Sequence, residues 1–78
     1  MNVEIISPDK SIFKGELNLI QLPGIDGSFE IMDHHAPLVS ILKKGKIKLV
    51  DAKKKVDFIE INGGVIEVLN NYVKILVE

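Results

Sequence analysis

Apolar and polar residues alternate in short runs along this chain. Val3-Glu4-Ile5, Leu17-Asn18-Leu19, Ile47-Lys48-Leu49, Val56-Asp57-Phe58, Ile59-Glu60-Ile61, Ile66-Glu67-Val68 and Val73-Lys74-Ile75 all repeat with period two. That period sends successive side chains to opposite faces of an extended strand, one face buried and one wet. Turn residues separate the runs: Pro8-Asp9, Pro23-Gly24, Asp26-Gly27, Gly45, Gly63-Gly64 and Asn70-Asn71. The pattern predicts an all-β fold, an antiparallel β-sandwich or flattened barrel of about eight to ten short strands. No window carries a helical stripe capped at both ends.

Two hairpins can be set in register from the residues. Asn70-Asn71 tolerates the positive φ angles of a two-residue primed turn. Val68 then faces Val73 and Ile66 faces Ile75, with Glu67 opposite Lys74 on the other face. A one-residue slip would set Val against Lys, so this register is favoured. In the middle hairpin, closure through Lys53-Lys54 sets Leu49 opposite Phe58 but Ile47 opposite Glu60. A β-bulge near Phe58-Ile59 restores Ile47 to Ile61 and Lys48 to Glu60. The phase change at Leu19-Ile20 implies another irregularity, or a strand covered on both sides.

Length changes the picture next. The 78 residues predict one domain spanning 1–78. Such a domain buries only about 60% of its unfolded surface, and its stability is roughly 4–12 kcal/mol. No cysteine is present, which excludes disulfides and thiolate metal sites. Docking into a larger assembly is the remaining way to reinforce so small a core.

Ten basic and eleven acidic residues give a net charge of −1. A nucleic-acid partner would call for a strong basic excess. Lys43, Lys44, Lys46, Lys48, Lys53, Lys54 and Lys55 cluster, but no aromatic residues alternate with them to stack bases, and a solvated face and turn accounts for them. The apolar runs fall far short of the roughly 20 residues that cross a bilayer. Asp9 and Lys10 interrupt the start, unlike a signal peptide.

Candidate chemistry is sparse. Asp33-His34-His35 is the one site-like cluster, yet adjacent residues on a strand diverge and no third histidine exists to fill a zinc set. A loop in which Asp33 bonds backbone amides and Pro37 fixes the exit is the simpler account. Ser7, Ser11, Ser28 and Ser40 lack a Gly-x-Ser-x-Gly setting. Gly45-Lys46 lacks the upstream Gly and following Ser or Thr of a P-loop. Gly63-Gly64 reads as a tight connection between strands.

The order Phe13-x-Gly15, Gly24-x-x-Gly27, His35-Ala36-Pro37-Leu38, Gly45, Gly63-Gly64 resembles the epsilon subunit of the rotary F-type ATP synthase. The resemblance runs from Val3 to the last residue and covers that family's N-terminal β domain. The helical hairpin that follows it in the family, with its inhibitory and ATP-sensing roles, has no counterpart in these residues. The resemblance implies a non-catalytic stalk subunit of a proton- or sodium-translocating synthase, with no catalytic residue, cofactor or metal of its own. It implies two partners, the gamma subunit and the c subunits of the rotor ring, and no nucleic acid. It places the protein at the cytoplasmic face of the membrane, held there only through the complex. Ser28, Glu30, Met32 and Asp33 would face the ring. His35, Pro37, Leu38, Val39, Ser40 and Ile41 would face gamma. Many relatives have an acid where Ser28 stands and glycine where Glu30 stands. Two standard interfaces of roughly 800 Å² each would take about a third of a surface of about 4,700 Å².

The alternative class is a small β carrier or binding domain of the biotinyl type. It calls for an exposed lysine at a hairpin tip flanked by methionines. Lys54 sits at a possible tip, but Met1 and Met32 are distant in sequence.

Overall fold

Each alternating run becomes a strand because its apolar set finds a common interior. A computed structural model describes all residues, 1–78. The strands are β1 (Asn2–Ile6), β2 (Ser11–Glu16), β3 (Leu19–Gly24), β4 (Gly27–Met32), β5 (Leu38–Val50), β6 (Val56–Leu69) and β7 (Tyr72–Val77). The all-β prediction is borne out, with strands over 72% of the chain and no helix. The count is seven rather than eight to ten because β5 and β6 run unbroken for 13 and 14 residues.

All seven strands join in one sheet of order β2-β1-β7-β6-β5-β3-β4. It is not wholly antiparallel: β1 runs parallel to β7. The sheet folds over on itself through β5 and β6, enclosing one cluster of sixteen buried apolar residues. That cluster takes Val3, Ile5, Val73 and Ile75 from one side and Ile20, Leu22 and Ile31 from the other. No polar or charged side chain is buried, so the core rests on apolar burial, about 1.5–3 kcal/mol for each fully buried Ile, Leu or Val.

The C-terminal hairpin has the predicted register, with Val68 opposite Val73, Ile66 opposite Ile75 and Glu67 opposite Lys74. Asn70 and Asn71 both take positive φ, 50° and 61°, as a primed turn requires. The middle hairpin does not. Leu49 faces Asp57, Lys48 faces Phe58, and Ile47 faces Ile59, with no bulge at Phe58-Ile59. Its loop is five residues long, Asp51 to Lys55, closed by Asp51 N–H to the Lys55 carbonyl at 3.1 Å. The Asp51 carboxylate accepts the backbone N–H of Lys53 and Lys55, both at 2.9 Å. That side chain, and not a two-residue turn, sets the register.

A separate change of phase lies farther along β5 and β6. Leu42, Ile47 and Leu49 are buried on β5, and Ile61, Ile66 and Val68 on β6. On both strands the inward set changes parity at the same level, so the pairing stays in step. Gly63 sits there at φ 142°, a backbone angle that L side chains rarely adopt. At Leu19-Ile20 the chain simply changes strand, since β2 ends at Glu16 and β3 begins at Leu19. The irregularity of β3 comes later, as a register shift against β5 between Gln21 and Gly24.

Candidate docking surfaces

Strand pairing puts outward side chains in rows across the sheet. On the β1-β7-β6-β5 side, Ile6, Leu76, Val65 and Ile41 are consecutive partners and form an apolar row. The next row is Glu4, Lys74, Glu67 and Val39, and beyond it stand Asn2, Tyr72 and Leu69. Opposite charges therefore alternate beside the apolar row and leave the face near neutral. Val39 is 69% exposed, Ile41 56% and Leu76 49%. Val39, Val65, Glu67, Lys74 and Leu76 line a shallow groove on this face. The Tyr72 hydroxyl donates to Glu4 Oε1 at 3.0 Å, and this bond to a carboxylate holds the phenol above its usual pKa of 10.0.

Of the six residues expected to face gamma, Val39 and Ile41 stand in these rows. His35 and Pro37 are exposed on the loop before β5, while Leu38 and Ser40 point inward and are half-buried. Alternation along a strand forces that split. Ile6, Val65, Leu69 and Leu76 belong to the same face and were missed as surface candidates. The signal was present, because the Asn70-Asn71 register sets Val65 opposite Leu76 on the outward side.

The other face is built likewise. Met32, Leu19, Val50 and Val56 form one row, and Glu30, Gln21, Lys48 and Phe58 the next. Ser28, Glu30 and Met32 are exposed on β4, the last strand of the sheet. The segment Gly27–Met32 is a strand. The turn proper is Ile25-Asp26, between Gly24 and Gly27, and Ile25 is 57% exposed.

Asp33 lies at the far end of β4, about 17 Å from Ser28 at roughly 3.4 Å per residue. It binds the Met1 ammonium rather than backbone amides. The same ammonium donates to the Leu17 carbonyl at 3.1 Å and lies 3.5 Å from Glu16 Oε2. The hydrogen bond to the ammonium holds Asp33 below its ordinary pKa. Partial burial works against the Met1 charge, but Asp33 and Glu16 outweigh it and raise the amine's pKa. His34 takes φ 63° and its N–H donates to Asn71 Oδ1 at 2.7 Å. His35 Nδ1 lies 2.7 Å from the Ala36 carbonyl oxygen. Lys54, also at positive φ (64°), is flanked by Lys53 and Lys55 and not by methionine.

The chain is thus a small sandwich with a wholly apolar core and apolar rows on two faces. The family model described as ATP synthase, delta/epsilon chain, β-sandwich domain, matches residues 1–78. The ATP synthase epsilon chain of Chlorobium limicola is 42% identical over 76 residues, covering 97% of this chain and 86% of that one. The epsilon chain of Leptospira borgpetersenii is 41% identical over 78 residues, all of this chain but 61% of that one. A chain in the cryo-EM structure of the Euglena gracilis mitochondrial ATP synthase superposes with TM-score 0.91 at 23% identity, over 96% of this chain and 48% of that one. The chain belongs to the ATP synthase delta/epsilon family. Its relatives are epsilon chains of the ATP synthase, a subunit distinct from the catalytic one.

Proposed function

We propose that this domain couples the gamma subunit to the ring of c subunits, holding one on each of two separate surfaces. The gamma-facing surface is the face of Val39, Ile41, Val65 and Leu76, edged by His35 and Pro37. The ring-facing surface is the β3–β4 hairpin, with Ser28 and Glu30 nearest its tip and Met32 and Asp33 farther along β4. The domain sits at the cytoplasmic side of the membrane and reaches the bilayer only through the complex.

One observation carries the reading. An uninterrupted apolar row crosses four strands on a molecule whose total accessible surface is 5013 Å². Two interfaces of about 800 Å² each would take a third of that surface, which the two faces can supply. Contacts of the two surfaces differ in kind. Those through Glu30 and Asp26 weaken with salt, while those through the apolar row respond little.

The test is charge placement. Glu30→Lys weakens attachment to the ring and spares binding to gamma. Ile41→Asp weakens binding to gamma and spares the fold, because Ile41 points outward. Proton-driven ATP synthesis in vesicles falls with either, with circular dichroism as the folding control. If both folded variants couple normally, or if removing the protein leaves coupling intact, the proposal fails.

A further inference from the structure

The β3–β4 hairpin has a weakness in its attachment. β4 is the edge strand, so the β3–β5 ladder is the one strand pairing that joins the hairpin to the rest of the sheet. The β3–β5 ladder is itself interrupted. Between the pairs Gln21–Lys48 and Gly24–Leu42, β3 advances three residues while β5 advances six. The five residues Lys43 to Ile47 thus stand against two, Leu22 and Pro23, and arch over Pro23, which has no N–H to offer the ladder.

Two contacts make up for the gap. Gly45 lies against Pro23 so closely that an added Cβ would stand 2.9 Å from Pro23 Cβ and 3.2 Å from its Cγ. Beyond the arch, Ile25 N–H donates to the Ile41 carbonyl at 3.1 Å. The turn is also fixed within its own hairpin, since an added Cβ on Gly24 would meet the Gly27 carbonyl oxygen at 2.5 Å and the Phe29 ring at 2.7 Å. Ile41 is the residue whose side chain belongs to the apolar docking row.

We infer that the Pro23–Gly45 contact and the Ile25–Ile41 hydrogen bond form a brace that carries force between the hairpin tip and the docking face. Gly45 and Pro23 are positioning residues in it. The inference rests on the two-surface reading above. Displacement of the tip passes through one backbone bond to the strand bearing Ile41, with Gly45 on Pro23 as the pivot. Glycine is required at 45 because the rigid Pro23 ring lies against its Cα and leaves no room for a side chain.

The experiment uses the complete complex in membrane vesicles, with two disruptive variants and one rescue. Gly45→Ala pushes the arch off Pro23. Ile25→Pro deletes the donated N–H and keeps the turn, since Ile25 has negative φ and proline suits the first central position of a turn. In the isolated domain, the Ile25 amide exchanges roughly ten-fold faster in Gly45→Ala than in the parent, while core amides are unchanged. In vesicles, both variants keep gamma binding but pump fewer protons per ATP hydrolysed. In Gly45→Ala/Pro23→Gly the added methyl fills the space the ring vacates, so the two strands still bear on each other and both readouts return. The brace is refuted if Gly45→Ala and Ile25→Pro pump normally, or if gamma binding falls in step with pumping. It is also refuted if the double variant pumps no better than the single. Should Gly45→Ala fail to fold, Ile25→Pro decides alone. Loss of pumping on removing the whole protein, with both variants normal, sinks the brace and leaves the two-surface reading standing.

Discussion

Gly64→Ala is the substitution whose effect the structure fixes most tightly. A Cβ on Gly64 would lie 2.3 Å from the Leu76 carbonyl oxygen and 3.1 Å from Val77 Cα. Both neighbours are backbone and cannot rotate away. Ordinary contact begins near 3.4 Å, so β6 and β7 must part by about 1 Å at the Gly64–Val77 pair. Overpacking of this kind costs about 1–3 kcal/mol, and each ladder hydrogen bond lost there adds about 1 kcal/mol. The total, about 2–4 kcal/mol, is a large share of a stability of roughly 4–12 kcal/mol. Urea unfolding followed by circular dichroism reads it. With a slope near 1 kcal/mol/M for so small a protein, the midpoint falls by about 2–4 M. Gly15→Ala is the control, because its Cβ would meet only the Phe13 ring at 3.3 Å, a side chain that can yield; its cost stays below about 1 kcal/mol. If Gly64→Ala shifts the midpoint no more than Gly15→Ala, the close approach of β6 and β7 is refuted.

Two further outcomes follow from the hydrogen bonds. The Met1–Asp33 pair contributes stability over a bounded pH window. Asp33 is lowered from 3.8, so its share is present above that value and lost as pH falls through the depressed pKa; the Met1 amine is raised from 8.0, so its share is present below 8.0 and lost as pH rises through the raised pKa. A synthetic chain acetylated at Met1 should be less stable than the parent mainly between those limits, and a difference unchanged at pH 2 or 11 contradicts the pairing. Asn71→Ala loses a residue suited to φ 61° and the acceptor for His34 N–H, and should cost about 1–2 kcal/mol by urea unfolding, whereas Asn71→Gly recovers the backbone part.

What could be read from the residues was local. The Asn70-Asn71 hairpin is specified by its own turn and by the facing pairs beside it, and its register came out residue for residue. The middle hairpin failed because its turn is organised by a side chain, Asp51, bonding amides two and four residues on, a pattern that alternation does not reveal. The bulge expected at Phe58-Ile59 arose because Val56 and Phe58 are apolar yet stand outward, 44% and 61% exposed, while Ile59 and Ile61 face the core. The parallel β1–β7 pairing joins the two ends of the chain, so no local pattern announces it. The surface residues divided in the same way. Val39 and Ile41 were reachable from the family resemblance and Val65 opposite Leu76 from the Asn70-Asn71 register, whereas Ile6 joins their row only through the parallel β1–β7 pairing. Asp33 was assigned to the ring from its motif, but its carboxylate is engaged by an ammonium 32 residues away.

The central claim is that two surfaces of this domain hold two different partners. Photo-crosslinking from single positions in native membranes tests it most directly, with a benzophenone placed in turn at Val39 and at Ser28. The account predicts an adduct with the gamma subunit from position 39 and an adduct with c subunits from position 28. Adducts with one and the same partner from both positions, or with no ATP synthase subunit from either, would contradict it.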